Sequence, residues 1–298
     1  MTKETDVVII GAGPAGISAA IQLDRYDIDT ILFDKSEPGG LLVNASFVEN
    51  YPGFPKGISG RDLTDLFKEQ LRSKGINVCR EEVIAVKKND GFFNILTSND
   101  LIRSYIVIIA SGTTPRKLIR CTIPSGAEGR IFYEINQLRN LKDKTIGIIG
   151  SGDAAFDYAV SLSEHNHVII LNRSDRVKCL PPLFEQVTKS VNISYRENIS
   201  IGKIDVCDEG LILYPEGDGN SGNEGIRVFC LVVAIGRDPS TSFISKYIMA
   251  DIGSLKDTGR IYMIGDVSNG ICRQTAISVG DGVRAAMEIA MRMRDNQI

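Results

Sequence analysis

Two glycine-rich turns, each set between an apolar run and a helix-like stretch, constrain this chain more than any other feature. The first, Gly11-Ala12-Gly13-Pro14-Ala15-Gly16, follows Asp6-Val7-Val8-Ile9-Ile10. The second, Gly150-Ser151-Gly152-Asp153-Ala154-Ala155, follows Thr145-Ile146-Gly147-Ile148-Ile149. After a strand, the first glycine permits a tight turn and the second lets backbone approach a pyrophosphate. The third position stays small so that helix and strand pack closely. A diphosphate then rests against the helix N-terminus, where N–H groups and the dipole favour negative charge. One such motif is weak evidence. Two in this context imply two dinucleotides on one chain, and electrons passing between them.

The strands that complete the two units end differently. Thr30-Ile31-Leu32-Phe33 runs into Asp34, 23 positions (34 − 11) after Gly11, close to the spacing of a ribose-hydroxyl acceptor. His167-Val168-Ile169-Ile170-Leu171 runs instead into Asn172-Arg173-Ser174-Asp175-Arg176-Val177-Lys178. With no acid at that strand end, a 2′-phosphate is not repelled.

A length of 298 residues suggests two domains, each able to bury its own core. The composition, 43% hydrophobic and 24% charged, is that of a soluble globular protein, and a net charge of −3 offers no field for nucleic acid. The first residues enter a strand without a leader pattern, and no apolar run reaches the roughly 18 residues of a membrane span. The expectation is a cytoplasmic protein that binds neither membrane nor nucleic acid. The six cysteines, at 79, 121, 179, 207, 230 and 272, include no CxxC pair, and the two histidines, His165 and His167, flank a helix-to-strand connection. No metal site is expected.

Strand and helix signals alternate, which favours parallel sheets covered by helices, an α/β chain with two Rossmann-like domains. Glu37-Pro38-Gly39-Gly40 and the segment from Val48 to Pro55 read as ordered loops. The spacing predicts a helix from about residues 59–61 to Ser73, with Leu63, Leu66, Phe67 and Leu71 on one face. Strands are expected near 77–87, 91–97 and 105–110, with Asp90-Gly91 as a hairpin turn. Later strands are expected near 199–206, 210–215 and 228–235, with the polar run from Glu216 to Gly225 as a hairpin tip. A final helix from about Ser278 to Arg294 would turn Val283, Ala286, Met287, Ile289, Ala290 and Met293 inward.

Taken in order, several of these pieces match one family. They are the first fingerprint, Gly39-Gly40-Leu41, Val48-Glu49-Asn50-Tyr51-Pro52-Gly53, Ala110-Ser111-Gly112, the second fingerprint, Ala234-Ile235-Gly236, Gly265-Asp266 and Arg273-Gln274-Thr275-Ala276. Over essentially its full length the chain resembles the low-molecular-weight thioredoxin-reductase-like flavoproteins. The resemblance implies an FAD domain over about 1–115 and 244–298, interrupted by an NAD(P)H domain over about 116–243. It implies that Gly11, Gly13, Pro14 and Ala15 hold the FAD pyrophosphate, with Asp34 near the adenosine ribose. Gly265 and Asp266 would reach the ribityl and phosphate region, and Asn50 would lie beside the ring. Arg273, Gln274 and Ala276 would begin a helix whose positive end faces the pyrimidine side of the flavin. Gly40, Leu41, Ala110 and Gly112 complete that set. The NAD(P)H set is Gly150, Gly152, Asp153, Ala154, Arg173, Ser174, Lys178 and Gly236.

The departures carry as much information. Thioredoxin reductases place a redox CxxC and an acid just before the second fingerprint, where this chain reads Tyr133-Glu134-Ile135-Asn136-Gln137. Without a dithiol, ordinary exchange with a protein disulfide has no nucleophile. Gly129-Arg130-Ile131-Phe132-Tyr133-Glu134 and the segment from Gly152 to Ala159 are closer in type to the thioredoxin-reductase-type ferredoxin/flavodoxin–NADP reductases. That resemblance implies electron transfer from NADPH, or NADH, through FAD to ferredoxin or flavodoxin by a homodimer, with the flavin itself as the reactive group and no catalytic side chain. Members of that type commonly extend beyond the last helix with an aromatic residue over the flavin, whereas this sequence stops at Ile298. NADPH recognition in the family uses His-Arg-Arg and a further Arg, where this chain has Asn172-Arg173-Ser174 and Lys178. Three alternatives stay open: a disulfide reductase using Cys272, an NAD(P)H oxidase, and an FAD-containing sensing or binding module without turnover.

Overall fold

In a computed structural model the described residues are 3–89, 91–119, 121–216 and 225–295. The chain begins with β1 (Lys3–Ile10), α1 (Pro14–Asp24), β2 (Thr30–Phe33), α2 (Gly60–Ser73), β3 (Val78–Cys79), β4 (Val83–Asn89), β5 (Phe92–Thr97), β6 (Leu101–Ile109) and β7 (Thr113–Pro115). Next come β8 (Ile131–Phe132), β9 (Thr145–Ile149), α3 (Asp153–Ser163), β10 (His167–Leu171), α4 (Pro181–Lys189), β11 (Ile193–Arg196), β12 (Ile201–Cys207), β13 (Gly210–Pro215), β14 (Ile226–Val228) and β15 (Cys230–Val233). β16 (Arg237–Pro239), α5 (Lys246–Ala250), α6 (Ile252–Asp257), β17 (Ile261–Met263) and α7 (Thr275–Arg294) complete it. Contacts divide the chain into two compact units. One comprises Met1–Val43, Val48–Thr114 and Asp238–Ile298; the other comprises Asn44–Phe47 and Pro115–Arg237.

The first unit is built on a seven-stranded sheet ordered β3-β2-β1-β6-β5-β4. β1 pairs in parallel with β2 and with β6. The far edge of β6 is shared: its first half pairs antiparallel with β5, and its last three residues pair in parallel with β17. Side chains alternate across the sheet, as strand geometry requires. Val7, Ile9, Ile106 and Ile108 face α1 and α7, where Ile17, Leu23, Ala286 and Ile289 close one core layer. Val8, Ile10, Val107 and Ile109 face the other way, onto Val86, Phe93, Ile95, Ile248 and Leu255. α1 and α7 cross closely because Gly282 has no side chain; a Cβ there would stand 2.2 Å from the Ala15 carbonyl oxygen.

The second unit carries a five-stranded parallel sheet ordered β11-β10-β9-β15-β8 and a three-stranded antiparallel sheet ordered β12-β13-β14. Ile146, Ile148, Val168, Ile170 and Val232 pack on Phe156, Ala159 and Leu162 of α3. The opposite layer, with Leu171, Ile204, Leu211, Leu213 and Leu231, is shared between the two sheets.

Several sequence expectations need revision. The run expected as one strand over 228–235 changes sheets at Phe229, whose N–H donates to the Thr145 carbonyl (2.7 Å) between β14 and β15. The stretch 77–87 divides into β3 and β4, and β6 starts four residues before the predicted strand, at Leu101. Leu66 and Met287 are 44% and 46% exposed, so the buried stripes of α2 and α7 are narrower than read. Three helical segments were not anticipated. α4 opens with Pro181-Pro182, and proline suits a first helical turn; α5 and α6 are each a turn or two long. Asp90 and residues 217–224, which carry most of the two expected hairpin tips, lie outside the described residues.

Candidate functional site

In the first unit several turns meet at the N-terminus of α1. Gly11 leaves β1 with φ +106°, and a Cβ there would stand 2.4 Å from the Ala110 carbonyl oxygen. A Cβ on Gly16 would stand 1.8 Å from the Gly11 carbonyl oxygen. These glycines let α1 start directly against the sheet. Gly13 is the N-cap and Pro14 occupies the first turn, which holds no acidic residue. The first-turn N–H groups have no intrahelical partner and point out of the helix end. Gly39 donates its N–H to the Ala12 carbonyl (2.7 Å), and a Cβ on Gly40 would stand 3.2 Å from Gly13 Cα. Gly265, at φ +71°, lies against Ala15, whose Cβ would be 2.8 Å from a Cβ at position 265.

Gly11, Gly13, Pro14, Ala15, Gly40, Ala110 and Gly265 are thus brought together. Side chains at Gly13 and Gly40 would fill the space over the first turn of α1. Their absence leaves a floor of bare backbone under a helix N-terminus, which fits a dinucleotide diphosphate. Beside Gly39, the buried hydroxyl of Thr64 has no hydrogen-bond partner among the described residues, so a polar group is left for a ligand in this cradle.

Asp34 does more than wait for a ribose. Its Oδ2 accepts the Ala12 N–H (2.7 Å) and its Oδ1 accepts the Ser36 N–H (2.8 Å), so the carboxylate shapes the glycine turn. Burial pushes its pKa up against those two hydrogen bonds. Gln274 is the N-cap of α7, and its Oε1 accepts a hydrogen bond from Asn50 Nδ2 (2.9 Å). Asp266 Oδ1 accepts from Ser278 Oγ (3.4 Å), which ties it to the same helix end as Arg273, Gln274 and Ala276. Gly112 has φ +61° and accepts the Ser240 N–H at its carbonyl (3.0 Å), while Leu41 is half-buried in the 3-10 turn Gly40–Asn44.

Sequence reasoning missed Asp281. Its Oδ2 accepts from the Gly265 N–H (3.2 Å) and from Asn269 Nδ2 (2.7 Å), and so pins the turn that carries Asp266. The available signal was an acid two residues ahead of Val283, the first inward position of an amphipathic helix.

In the second unit the corresponding turn is built alike. Gly150 has φ +157°, and a Cβ there would approach the Ala234 carbonyl oxygen at 2.5 Å and the Ala155 Cβ at 2.9 Å. Gly152 caps α3, with open space where its Cβ would be. Asp153 and Ala154 form the first turn. Asp153 Oδ1 accepts the Leu180 N–H (2.8 Å), and Lys178 donates its N–H to the Ser151 carbonyl (2.8 Å). The loop after β10 is therefore fastened to the glycine turn and brings Arg173, Ser174 and Lys178 to its side. Arg173, Arg176 and Lys178 are exposed. Gly236, at φ +111°, accepts the Arg116 N–H at its carbonyl (3.0 Å).

Where the resemblance places a dithiol and an acid, residues 133–137 hold no thiol. Ile135 is fully buried, and the N–H groups of Ile135 and Asn136 donate to Asn44 Oδ1 (3.1 and 3.0 Å). Glu134 pairs with Arg237 (3.3 Å). Of the six free cysteines only Cys272 is exposed. Burial pushes the thiols of Cys79, Cys121 and Cys179 up, and that of Cys230 up to about 12, which suppresses their thiolates at neutral pH. No cluster of three potential metal ligands occurs among the described residues.

Asp157 on α3 is a half-buried acid in this unit. Its Oδ2 accepts the Ser46 N–H (3.0 Å), yet burial pushes its pKa up more than that bond and Arg139 pull it down. The folded protein therefore keeps this proton to higher pH than the unfolded chain does. The associated stability is complete below the ordinary aspartate range, about 3.9, and is lost as pH rises through the raised value. Asp157→Asn should melt higher than the parent at pH 7, with the gap closing in acid. A gap independent of pH would contradict this.

The chain matches the pyridine nucleotide-disulphide oxidoreductase family over residues 5–282. It belongs to that family. The pyridine nucleotide-disulphide oxidoreductases of this type use FAD and a nicotinamide dinucleotide, and these are its cofactors. The chain is 28% identical over 309 residues to the thioredoxin reductase of Borreliella burgdorferi, covering 95% of this chain and 90% of that one. Among solved structures it is similar to T. acidophilum thioredoxin reductase (29% identity, TM-score 0.80) and to that of Lactococcus lactis (26% identity, TM-score 0.82). Each match covers 98% of this chain and 99% of the other. The two-domain dinucleotide-binding fold is shared with these oxidoreductases. No helix among the described residues is long and apolar enough to cross a membrane.

Proposed function

We propose that this protein takes reducing equivalents from NADPH, or less readily NADH, and delivers them through FAD to an external carrier, ferredoxin or flavodoxin, without a protein dithiol. The observation that carries this reading is the turn at 133–137, where a buried isoleucine and backbone bonds to Asn44 stand in place of two thiols and an acid. We read the protein as a cytoplasmic homodimer that does not act as a conventional thioredoxin reductase.

Flavin supplies the hydride-accepting and electron-donating chemistry when bound. The chain's own residues bind and orient. The bare backbone at Gly11, Gly13 and Gly40 receives the FAD diphosphate. Asp34 holds the Ala12 N–H in place, and the N-terminus of α7, with Gln274 and Asn50, offers positive potential to the ring. Gly150, Gly152 and the start of α3 receive the nicotinamide dinucleotide, with Arg173 and Lys178 beside its adenosine end and Gly236 completing the set.

A second reading, disulfide reduction, is favoured by the names of the relatives. It would need Cys272, the one exposed thiol, to act alone. Steady-state assays with ferredoxin, flavodoxin, thioredoxin disulfide and oxygen as acceptors separate these readings. We expect carrier reduction in excess of oxygen consumption, undiminished in Cys272→Ser. Loss of all turnover in that variant would replace this reading with the second.

A further inference from the structure

The loop after β10 holds a residue that neither fingerprint nor family pattern explains. Asn172 stands at the end of the strand, where sequence reasoning looked for an acid, and is only 2% exposed. Its carboxamide is consumed inside the protein. Nδ2 donates to the Arg176 carbonyl (3.1 Å) and to the Tyr195 hydroxyl (3.0 Å), while Oδ1 accepts the Ser174 N–H (3.3 Å). The backbone at 172 is held as well, by the Arg196 carbonyl and the Ile199 N–H (2.9 Å each). Ser174 Oγ then accepts the Arg176 N–H (3.3 Å), and Lys178 is fastened to Ser151 in the glycine turn.

These bonds fold residues 173–178 into one shape next to the second glycine turn. Three exposed cations, Arg173, Arg176 and Lys178, ride on it with one acid, Asp175. None of the three cations forms an ion pair among the described residues, so their charge is available to a ligand.

We propose that Asn172 is a positioning residue that sets dinucleotide choice by holding this loop in a shape suited to a 2′-phosphate. The inference rests on the reading of the second glycine turn as the nicotinamide-dinucleotide site. A neutral carboxamide neither repels a phosphate, as an acid at the strand end would, nor keeps a free acceptor for a bare ribose diol. Discrimination passes to the cations, and their placement depends on the carboxamide that orders their backbone. Pre-ordering matters because a long charged side chain on a loose loop loses freedom on binding, whereas a fixed loop has already met that cost. Arg176 enters here as a phosphate contact that the family spacing does not point to.

The test is calorimetric titration of the FAD-loaded protein with 2′,5′-ADP and with 5′-AMP, which differ only in the 2′-phosphate. The parent should bind 2′,5′-ADP at least about tenfold more tightly, the scale of one charge-assisted contact. Asn172→Ala should lose most of that ratio with its 5′-AMP affinity within about twofold. Tyr195→Phe, which keeps the ring packed on Phe156 and Phe184 and removes one carboxamide partner, should lose part of it. It decides the matter if the alanine variant fails to fold. An unchanged ratio in the variants overturns the role of Asn172, as does an equal fall in both affinities, the mark of a purely structural residue. A parent that binds both compounds equally overturns this inference alone. A parent that binds neither overturns the dinucleotide reading beneath it.

Discussion

The Gly11→Val variant should purify without FAD, or fail to fold to the native state at all. Two independent effects act at this position. At φ +106° a β-branched residue is strained, costing on the order of 1–3 kcal/mol. Its Cβ would also lie 2.4 Å from the Ala110 carbonyl oxygen, which is backbone directly after β6, held by the Ala110 N–H to the Ile10 carbonyl, and cannot move freely. Overpacking of that kind costs roughly a further 1–3 kcal/mol or more. Even a chain that absorbs the strain does so by displacing the turn that presents the first N–H groups of α1. The measurement is flavin absorbance per protein after purification and after incubation with excess FAD. Stoichiometric FAD in a folded variant would show that the first glycine turn is not the cofactor's diphosphate site.

Gly150→Val should separate the two sites. Its Cβ would meet the Ala234 carbonyl oxygen at 2.5 Å and the Ala155 Cβ at 2.9 Å, so the turn and the start of α3 must shift. This damage falls in the second unit, whereas the FAD turns lie in the first. We expect normal FAD content with NADPH affinity lower by about a hundredfold or more, the loss of about two charge-assisted contacts. Anaerobic addition of NADPH should then leave the flavin absorbance nearly unbleached at concentrations that reduce the parent. Unchanged bleaching would remove Gly150 from the nucleotide site.

The contrast between these variants shows what the residues disclosed in advance. Both glycine turns, the alternating apolar strands and the amphipathic course of α2 and α7 were legible because they are local: each depends on backbone freedom or on a period of two or 3.6 residues. What remained hidden depends on partners distant in the chain. Phe229 divides a continuous apolar run because its N–H finds Thr145, more than 80 residues away. Asp281 has its role only through Gly265 and Asn269, and Asn172 only through Tyr195 and Ser174. Leu66 and Met287 satisfy helical periodicity yet stay exposed, because apolar spacing fixes a face without fixing its width. The missing thiols at 133–137 were plain in the sequence. That Asn44 would supply the acceptor for that turn was not, since nothing local links the two segments.

The central claim is electron delivery without a protein dithiol, and single-turnover transfer after alkylation tests it most directly. The FAD-loaded protein is treated with NADPH and N-ethylmaleimide under anaerobic conditions, freed of excess reagent, and reduced again with one equivalent of NADPH. It is then mixed with oxidised ferredoxin, flavodoxin or thioredoxin disulfide. The account predicts full flavin bleaching by NADPH and prompt reoxidation by ferredoxin or flavodoxin at the rate of the untreated protein, with thioredoxin disulfide left oxidised. Reoxidation by thioredoxin disulfide alone, abolished by alkylation, would contradict it.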